Sequence, residues 1–401
     1  MGSDEQMRTL PDNVPAELVV DYNFYRQCGH HDVQRDAACQ LHAGPEIVWT
    51  HRNGGHWIFT RADDIEFAQR NSDLFSMREV SLPAGTTPTP SIPLESDEPE
   101  HAQYRKVLAP AFDPSAILEL EAGVRELAGN LIEGFKPRGR CEFVSEFAAL
   151  LPIVIFMRMA NLPAQDRAML VKWTNAAVRP SSTEARIEAY AKTNDYIAQL
   201  MEKRRTGDGQ DIVSIVMRGR MSEREMTDVE KQSMILNALF GGLDTVTSAM
   251  SFVARSLAMS PEQRRQLIDE PALIPRAVEE LLRRHGIANT ARVVTRDVEH
   301  KGIRFKTGDR VLVQAMLHGL DERRFPDPTR IDFRRANIRH ATFGNGTHRC
   351  MGALLARTEL KIFIGEWLAR IPDFGLDEED PPRIEGGLVN SVVHLPLRWS
   401  V

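Results

Sequence analysis

A single cysteine near the end of the chain stands among residues that could bind a metal. Cys350 lies in ATFGNGTHRCMGALLART, residues 341–358, after two glycines, a histidine and an arginine and directly before an apolar helical pattern. A thiol at the start of a helix lies near unpaired backbone N–H groups and the positive end of the helix dipole, and both favour the thiolate. Gly344 and Gly346 can adopt backbone angles that other residues avoid. The segment therefore predicts a thiolate in a donor-lined pocket, a setting that suits a metal ion.

Four interpretations of Cys350 are open on these residues alone. A buried structural cysteine is the commonest, but it does not account for the glycines. Zinc needs three or four ligands, and only His348 is near in sequence. A nucleophilic cysteine needs a histidine base, whereas an axial ligand of haem iron needs only one thiolate. The other cysteines, Cys28, Cys39 and Cys141, form no CxxC pair, so we expect buried or half-buried apolar side chains and no disulfide framework.

A second group of residues lies in NALFGGLDTVTSAM, residues 237–250. Adjacent glycines inside a helix cost about 1 kcal/mol each relative to alanine. Gly241 and Gly242 leave room for a flat or bulky group, and Asp244 and Thr245 place a carboxyl and a hydroxyl beside that room. The alternative is a helix–helix crossing at the glycines, with Thr245 bonded to a carbonyl one turn earlier.

The cysteine segment resembles the ligand loop of the cytochrome P450 family, F-G-x-G-x-H-x-C-x-G. The matching residues are Phe343, Gly344, Gly346, His348, Cys350 and Gly352. Glu280-Leu-Leu-Arg283 is similar to the E-x-x-R motif of the family, and Arg330 falls where the third member of that Glu-Arg-Arg network is expected. Outside this context E-x-x-R is a one-turn surface ion pair. Gly241 to Thr245 resembles the oxygen-activation motif of the central helix.

The resemblance implies a haem b cofactor with Cys350 as the iron ligand and O2 as co-substrate. Asp244 and Thr245 would deliver protons through water. The positions that match propionate binders are His101, Arg105, Arg292 and His348. Further cofactor contacts are expected at Gly241, Phe343, Gly344 and Gly352. Thr290 stands in place of an aspartate that helps to hold a propionate in the camphor-hydroxylating branch of the family.

Longer stretches such as NGGHWI and GGLDTV look like the bacterial camphor-hydroxylating branch of the family. That branch holds its ketone with a tyrosine from the loop after the second helix, and this loop has none, with Thr89 at about that position. We therefore expect a pocket for another small hydrophobic molecule, a terpenoid or norisoprenoid. The expected pocket residues are Thr89, Phe240, Ala288, Leu388 and Val389.

The resemblance implies a haem-thiolate monooxygenase that receives electrons from a 2Fe–2S ferredoxin and its NAD(P)H-dependent reductase. Arg105, Lys106 and Arg349 would lie on or near the cysteine side, where such a partner docks. Two alternatives stay open: a haem-thiolate peroxygenase or isomerase, and a haem sensor or carrier without turnover.

The elements that must position these residues are mostly helical. Thr227 and Glu230 form a capping box for a helix of roughly 32 residues that ends at about Met259 and spans about 48 Å. An early hairpin around Asn53, an irregular loop over residues 76–99 and short strands after residue 285 form the rest. We expect a mainly α fold with a small β region (α+β). The resemblance implies a single triangular P450 domain over 1–401, with a polar tail over 1–12 and a long central helix crossing the haem.

Composition excludes several classes of protein. A formal net charge of -6 argues against nucleic-acid binding, which favours basic surfaces. The longest apolar run, residues 147–156, is too short to span a bilayer, and the amino terminus resembles no signal peptide. We expect a cytoplasmic protein without a nucleic-acid or membrane partner.

Overall fold

The computed structural model describes residues 9–85, 90–178 and 182–401, and helices dominate these residues. The first helices lie around the small β region and the cysteine loop. They are α1 (Val33–His42), α2 (Ala62–Arg70), α3 (Glu100–Leu108), α4 (Pro114–Phe135), α5 (Leu150–Met159), α6 (Arg167–Val178) and α7 (Thr183–Arg204). The later helices are α8 (Ile212–Arg218), α9 (Asp228–Met259), α10 (Pro261–Asp269), α11 (Ile274–Arg284), α12 (Ala315–Gly319) and α13 (Ala353–Arg370). Among the described residues no helix is long and apolar enough to cross a membrane.

The strands form one five-stranded sheet and three smaller sheets within the described residues. They are β1 (Ile47–Thr50), β2 (His56–Phe59), β3 (Phe75–Ser76), β4 (Arg140–Glu142), β5 (Asn289–Val294), β6 (Val298–His300), β7 (Ile303–Phe305), β8 (Arg310–Gln314), β9 (Gly375–Leu376), β10 (Arg383–Glu385), β11 (Ser391–His394) and β12 (Pro396–Arg398). The large sheet has the order β1-β2-β8-β5-β3, in which β2 and β8 are parallel and the other pairs antiparallel. The predicted mainly α fold with a small β region is confirmed.

The early hairpin forms as predicted, because its turn residues tolerate left-handed backbone angles. Strands β1 and β2 pair from Ile47 opposite Phe59 to Thr50 opposite His56. Asn53 has a φ of 54°, which an asparagine adopts more readily than most residues. The chain thus reverses tightly and places the large sheet against the helices.

Helix α9 has the predicted length of 32 residues and the predicted capping box. Its first half, up to Leu243, packs in a core with α7 and α8. Its second half, from Val246, packs in a different core with α4, α5 and α13. The two cores therefore meet along α9 at Asp244 and Thr245, so these two side chains lie where the apolar packing changes partner.

The irregular loop predicted over residues 76–99 begins one residue later, because Ser76 is the last residue of β3, and from residue 77 its described part contains no helix or strand. Buried Glu95 ties it together, since its carboxylate accepts from the N–H of Val80 at 3.1 Å and of Ser91 at 2.9 Å. The segment therefore lacks regular secondary structure, but the hydrogen bonds to Glu95 hold its two ends together.

The non-motif cysteines differ from the expectation in one respect. Cys141 is buried, but Cys28 and Cys39 are exposed, and all of them are free thiols. Cys39 lies on α1 near its end, where the helix faces outward. The prediction of buried or half-buried side chains is therefore wrong for these two residues.

Candidate active site

The cysteine loop reverses tightly before α13. The Cys350 N–H donates to the Phe343 carbonyl at 2.8 Å, which closes the loop. Gly344 and Gly346 have φ values of 71° and 72°, a region that favours glycine. A Cβ on Gly346 would lie 2.6 Å from the Gln69 carbonyl oxygen, so only glycine lets the loop pass so close to α2.

The Cys350 side chain is exposed, yet protein atoms surround the sulfur closely enough that burial raises the pKa of the thiol. The Gly352 N–H and the charges of Arg105, Arg357 and Arg349 act in the opposite direction but do not outweigh burial.

The predicted backbone contribution that favours the thiolate is present, but it is smaller than the effect of burial. Gly352 is the N-cap residue of α13, so Cys350 lies two positions before the cap and is less exposed to the helix dipole than predicted. Protein dipoles and nearby arginines therefore do not by themselves offset the burial of the thiol. A directly bound cation supplies the missing stabilisation of a thiolate.

Four basic side chains from three segments meet beside the cysteine loop. The rings of His101 and His348 lie 3.9 Å apart between centroids. Burial lowers the pKa of His348 to about 3, and the charges of His101, Arg292 and Arg105 contribute to the shift. The ion pairs found among the described residues give this group one carboxylate, that of Glu98, which lies 3.0 Å from Nδ1 of His101.

Arg292 on β5 is the most deeply buried of the basic groups that carry a permanent charge at this site. It is 5 % exposed, and burial lowers its pKa to about 10. Its Nη1 donates to the Thr290 hydroxyl and the Ala291 carbonyl, each at 2.9 Å. A buried guanidinium held by neutral oxygens is poorly compensated, so this position suits a negatively charged group.

The observed chemistry fits the two propionates of a haem. In the described part of the chain the buried Nε2 of His348 has no hydrogen-bond partner. An orphaned buried polar atom together with uncompensated positive charge is what carboxylates of a ligand would satisfy. His101, Arg105, Arg292 and His348 are thus brought together, as expected from the sequence.

The glycines of α9 face open space. A Cβ on Gly242 would have no heavy atom within 4 Å, and one on Gly241 would meet only Oδ1 of Asn237 at 3.5 Å. The alternative of a helix–helix crossing at these glycines is therefore wrong. Thr245 Oγ1 donates to the Gly241 carbonyl at 2.7 Å, and Asp244 is half-buried beside it.

The expected pocket residues fall into two places. Ala288 and Val389 form an isolated antiparallel bridge, and the Asn289 N–H donates to the Leu388 carbonyl at 2.8 Å. Phe240 instead packs against Tyr190 of α7, with ring centroids 5.0 Å apart. Thr89 lies outside the described residues.

The E-x-x-R pair is a buried network whose third member is Arg335. The Arg283 guanidinium donates to both Glu280 oxygens at 2.8 and 2.9 Å, and both side chains are fully buried. Arg335 Nε completes the network at 3.0 Å from Glu280 Oε1.

The predicted role of Arg330 is therefore wrong. Its side chain is exposed, and only its carbonyl takes part, accepting from Arg335 Nη2 at 2.8 Å. Arg330, Arg334 and Arg335 lie within six residues, and spacing alone does not reveal which arginine turns inward. The chain reverses at Asp327, which has a φ of 48°, and this turn brings Arg335 back to Glu280.

The outer side of the cysteine loop forms a concavity of about 780 Å³. Its lining includes Arg70, Arg339, Arg349 and Arg357 and one carboxylate, Glu279. Arg357 is engaged with that carboxylate at 2.6 Å. Arg339 and Arg349 are exposed, and neither forms an ion pair with another of the described residues. The concavity is therefore locally basic although the chain is acidic.

Known proteins resemble this chain in sequence and in fold. A sequence profile described as Cytochrome P450 matches residues 138–397. A relative described as probable cytochrome P450 127A1, from Sinorhizobium fredii, is 32 % identical over 98 % of this chain and 97 % of its own length. The crystal structures of CYP101J2 and CYP101C1 match with a TM-score of 0.90 each and identities of 36 % and 35 %, covering 98 % of this chain and 100 % of theirs. The chain therefore belongs to the cytochrome P450 family of monooxygenases, which use haem b and O2.

Proposed function

We propose that this protein hydroxylates a small hydrophobic molecule of terpenoid or norisoprenoid type, using O2 and electrons from a 2Fe–2S ferredoxin. The observation that carries the proposal is the convergence of four basic side chains beside Cys350, and the open space at the glycines of α9 supports it. One side of the site suits the edge of a haem, and the other leaves room for a substrate.

The residues that would hold haem b follow from their chemistry. Cys350 would provide the sulfur that binds the iron, and His101, Arg105, Arg292 and His348 would bind the propionates. The residues expected against the ring are Gly241, Phe343, Gly344 and Gly352. Phe343 is held in place by Arg357, whose guanidinium carbon lies 4.4 Å from its ring centroid.

When bound, a thiolate-ligated haem supplies the activation of O2. Asp244 and Thr245 would supply the protons. Thr245 Oγ1 now donates to the Gly241 carbonyl, and rotation about χ1 turns this proton toward the space beside the glycines. The half-buried Asp244 carboxyl would replace that proton from the solvent side through water.

The substrate pocket would be lined by uncharged side chains. Ala288, Leu388 and Val389 meet at one bridge, and Phe240 extends the apolar surface from α9. Thr89 remains part of the proposed pocket. Because these groups have few hydrogen-bond donors, shape and apolar area would decide which molecule binds.

The basic concavity would receive the ferredoxin. Arg339 and Arg349 line it, and Arg105 and Lys106 lie on the neighbouring α3. An acidic partner would be attracted to this face and repelled by much of the remaining surface, which steers docking to the cysteine side. A reductase that uses NAD(P)H would return the ferredoxin to its reduced form.

The test of the haem site is the carbon monoxide spectrum of the reduced protein. We expect the long-wavelength Soret band of a thiolate adduct, and we expect Cys350→Ser to lose it. An unchanged spectrum in the serine variant would contradict the proposal.

The test of the substrate class uses the ferric protein with a panel of terpenoids, ionones and camphor. We expect terpenoids or ionones other than camphor to cause the largest shift toward high spin, followed by a hydroxylated product that requires ferredoxin. A largest shift with camphor would contradict the pocket assignment. Turnover with peroxide alone would identify a peroxygenase, and the absence of product with every ligand that causes a shift would favour a sensor.

A further inference from the structure

Helix α3 carries two sets of side chains with different partners. His101 and Arg105 are four residues apart and therefore lie on the same face, the face beside Cys350 and His348. Gln103, Tyr104 and Val107 contact the turn that connects α8 to α9. The position of the two basic groups therefore depends on how this turn holds α3.

The central contact is an acid, a phenol and a guanidinium. The Tyr104 hydroxyl donates to Glu230 Oε1, and Arg224 donates to Glu230 Oε2 at 2.8 Å and to the Tyr104 oxygen at 3.3 Å. Tyr104 is 3 % exposed. Arg224 is the largest cause that lowers the pKa of Glu230 to about 2, so the carboxylate stays ionised at neutral pH.

Glu230 serves two elements with one carboxylate. Its Oε2 accepts from the Thr227 N–H at 2.7 Å, and its own N–H donates to the Thr227 hydroxyl at 3.2 Å, which is the capping box of α9. Its Oε1 holds Tyr104 of α3, 126 residues away in the chain. Capping alone does not require this second contact.

The rest of the turn also packs on α3. Ser222 donates from its N–H and its hydroxyl to Oε1 of Gln103, at 2.8 and 3.0 Å. A Cβ on Gly219 would lie 2.3 Å from Cγ1 of Val107, so the backbone passes closer to α3 than a side chain would permit. The turn therefore contacts α3 over slightly more than one helical turn.

We propose that Tyr104, Glu230 and Arg224 form a positioning triad that sets the rotation and height of α3, and through it the placement of His101 and Arg105 against the haem propionates. This proposal rests on the proposed haem site. Tyr104 is next to Arg105 and three residues from His101, so a rotation of α3 moves both basic groups together. None of the triad residues acts on haem or substrate directly.

The reduction equilibrium of the haem depends on this placement. Positive charge near the iron favours the reduced state, and poorer contact between the propionates and these two side chains leaves more negative charge uncompensated. Loss of the triad should therefore lower the reduction potential and weaken haem retention, without altering the axial ligand.

The experiment compares Tyr104→Phe, Glu230→Gln, the double variant and Thr227→Ala in the holoprotein. Phenylalanine removes only the hydroxyl, and glutamine keeps a capping side chain at this position while removing the charge that holds Arg224. Thr227→Ala is the matched control, because it removes the cap hydroxyl, with its 3.0 Å hydrogen bond to Glu230 Oε2, and leaves the contacts of Glu230 with Tyr104 and Arg224. The readouts are the reduction potential and the rate of haem transfer to excess apomyoglobin.

We expect Tyr104→Phe and Glu230→Gln each to increase the rate of haem transfer at least threefold and to lower the reduction potential. The double variant should change little beyond the larger single effect, because both substitutions release the same contact. Thr227→Ala should reduce thermal stability, while the rate of haem transfer stays within 1.5-fold of wild type and the reduction potential stays at the wild-type value.

Equal changes in Thr227→Ala and Tyr104→Phe would overturn the proposal, since they would show only a general loss of stability. The proposal would also be overturned if Glu230→Gln kept the wild-type reduction potential and rate of haem transfer, provided that its reduced carbon monoxide complex shows the thiolate band. Absence of that band in the wild-type protein would instead refute the haem site itself and the triad with it.

Discussion

Burial and charge compete at single residues of this protein, and Cys350 shows which one prevails. Three arginines and a backbone N–H lower the pKa of its thiol, but burial raises it by more. The neighbouring charges act over a distance, whereas desolvation acts on the sulfur itself. We infer that the thiolate depends on the metal it binds, in keeping with haem as the resident cofactor.

The Glu280 network permits a direct test with two arginines close in sequence. Arg335→Ala should destabilise the protein by about 3 kcal/mol, because it removes a partner from a fully buried carboxylate. Arg330→Ala should cost less than about 0.5 kcal/mol, because only its backbone carbonyl is used. Urea unfolding followed by circular dichroism measures both. Similar losses in the two variants would show that Arg335 is not the third member.

Glu359 on α13 is buried, and it forms no ion pair within the described part of the chain. Burial raises its pKa from 4.5 to about 8, and its Oε2 has no hydrogen-bond partner in the described residues. Between these two pH values the folded protein binds more protons than the unfolded chain, so Glu359 makes stability fall as pH rises.

Glu359→Gln should remove this dependence on pH. The variant should be more stable than wild type at pH 8, and its advantage should shrink as the pH falls below 4.5, where the glutamate becomes protonated in both states. Urea midpoints at several pH values test this, with exposed Glu378→Gln as the control. An advantage that is equal at all pH values would contradict the assigned protonation.

At the scale of elements, α9 combines two tasks that conflict locally. It joins two apolar cores along 32 residues, which favours strong helix formers. At the point where the cores meet it carries Gly241 and Gly242, which weaken a helix. The open space beside them accounts for the conflict, because a side chain there would occupy the proposed site.

Alanine substitution at two helical glycines distinguishes an effect on helix stability from an effect on substrate binding. A Cβ added to Gly242 in α9 or to Gly365 in α13 would have no heavy atom within 4 Å. Alanine at either position should therefore stabilise the protein by about 1 kcal/mol through helix propensity. Only Gly242→Ala should also weaken substrate binding, measured as the high-spin shift. An equal loss in Gly365→Ala would contradict the location of the site.

At the scale of the whole molecule, charge is distributed unevenly. The chain carries a formal net charge of -6, yet Arg339 and Arg349 are exposed in the concavity behind the cysteine loop. A long-range field of this kind acts on encounter rates more than on the stability of a complex. Its effect should therefore be largest at low ionic strength.

Charge reversal on this face should slow electron delivery. Arg339→Glu and Arg349→Glu should each reduce ferredoxin-supported turnover about tenfold at low salt, with a smaller effect at high salt. Exposed Arg383→Glu, outside the concavity, makes the same charge change and should have little effect. Stopped-flow reduction by the ferredoxin measures this, and equal effects of all three substitutions would contradict the docking face.

The sequence by itself determined the features that depend on neighbours within a few residues. The capping box, the length of α9, the early hairpin and the glycines of the cysteine loop follow from propensities, turn chemistry and motif spacing, which act locally. Only the tertiary structure decided that Arg335 rather than Arg330 meets Glu280, that burial raises the pKa of the Cys350 thiol, and that Tyr104 meets Glu230 across 126 residues. These outcomes depend on which distant segments pack together and on how far packing removes a group from water.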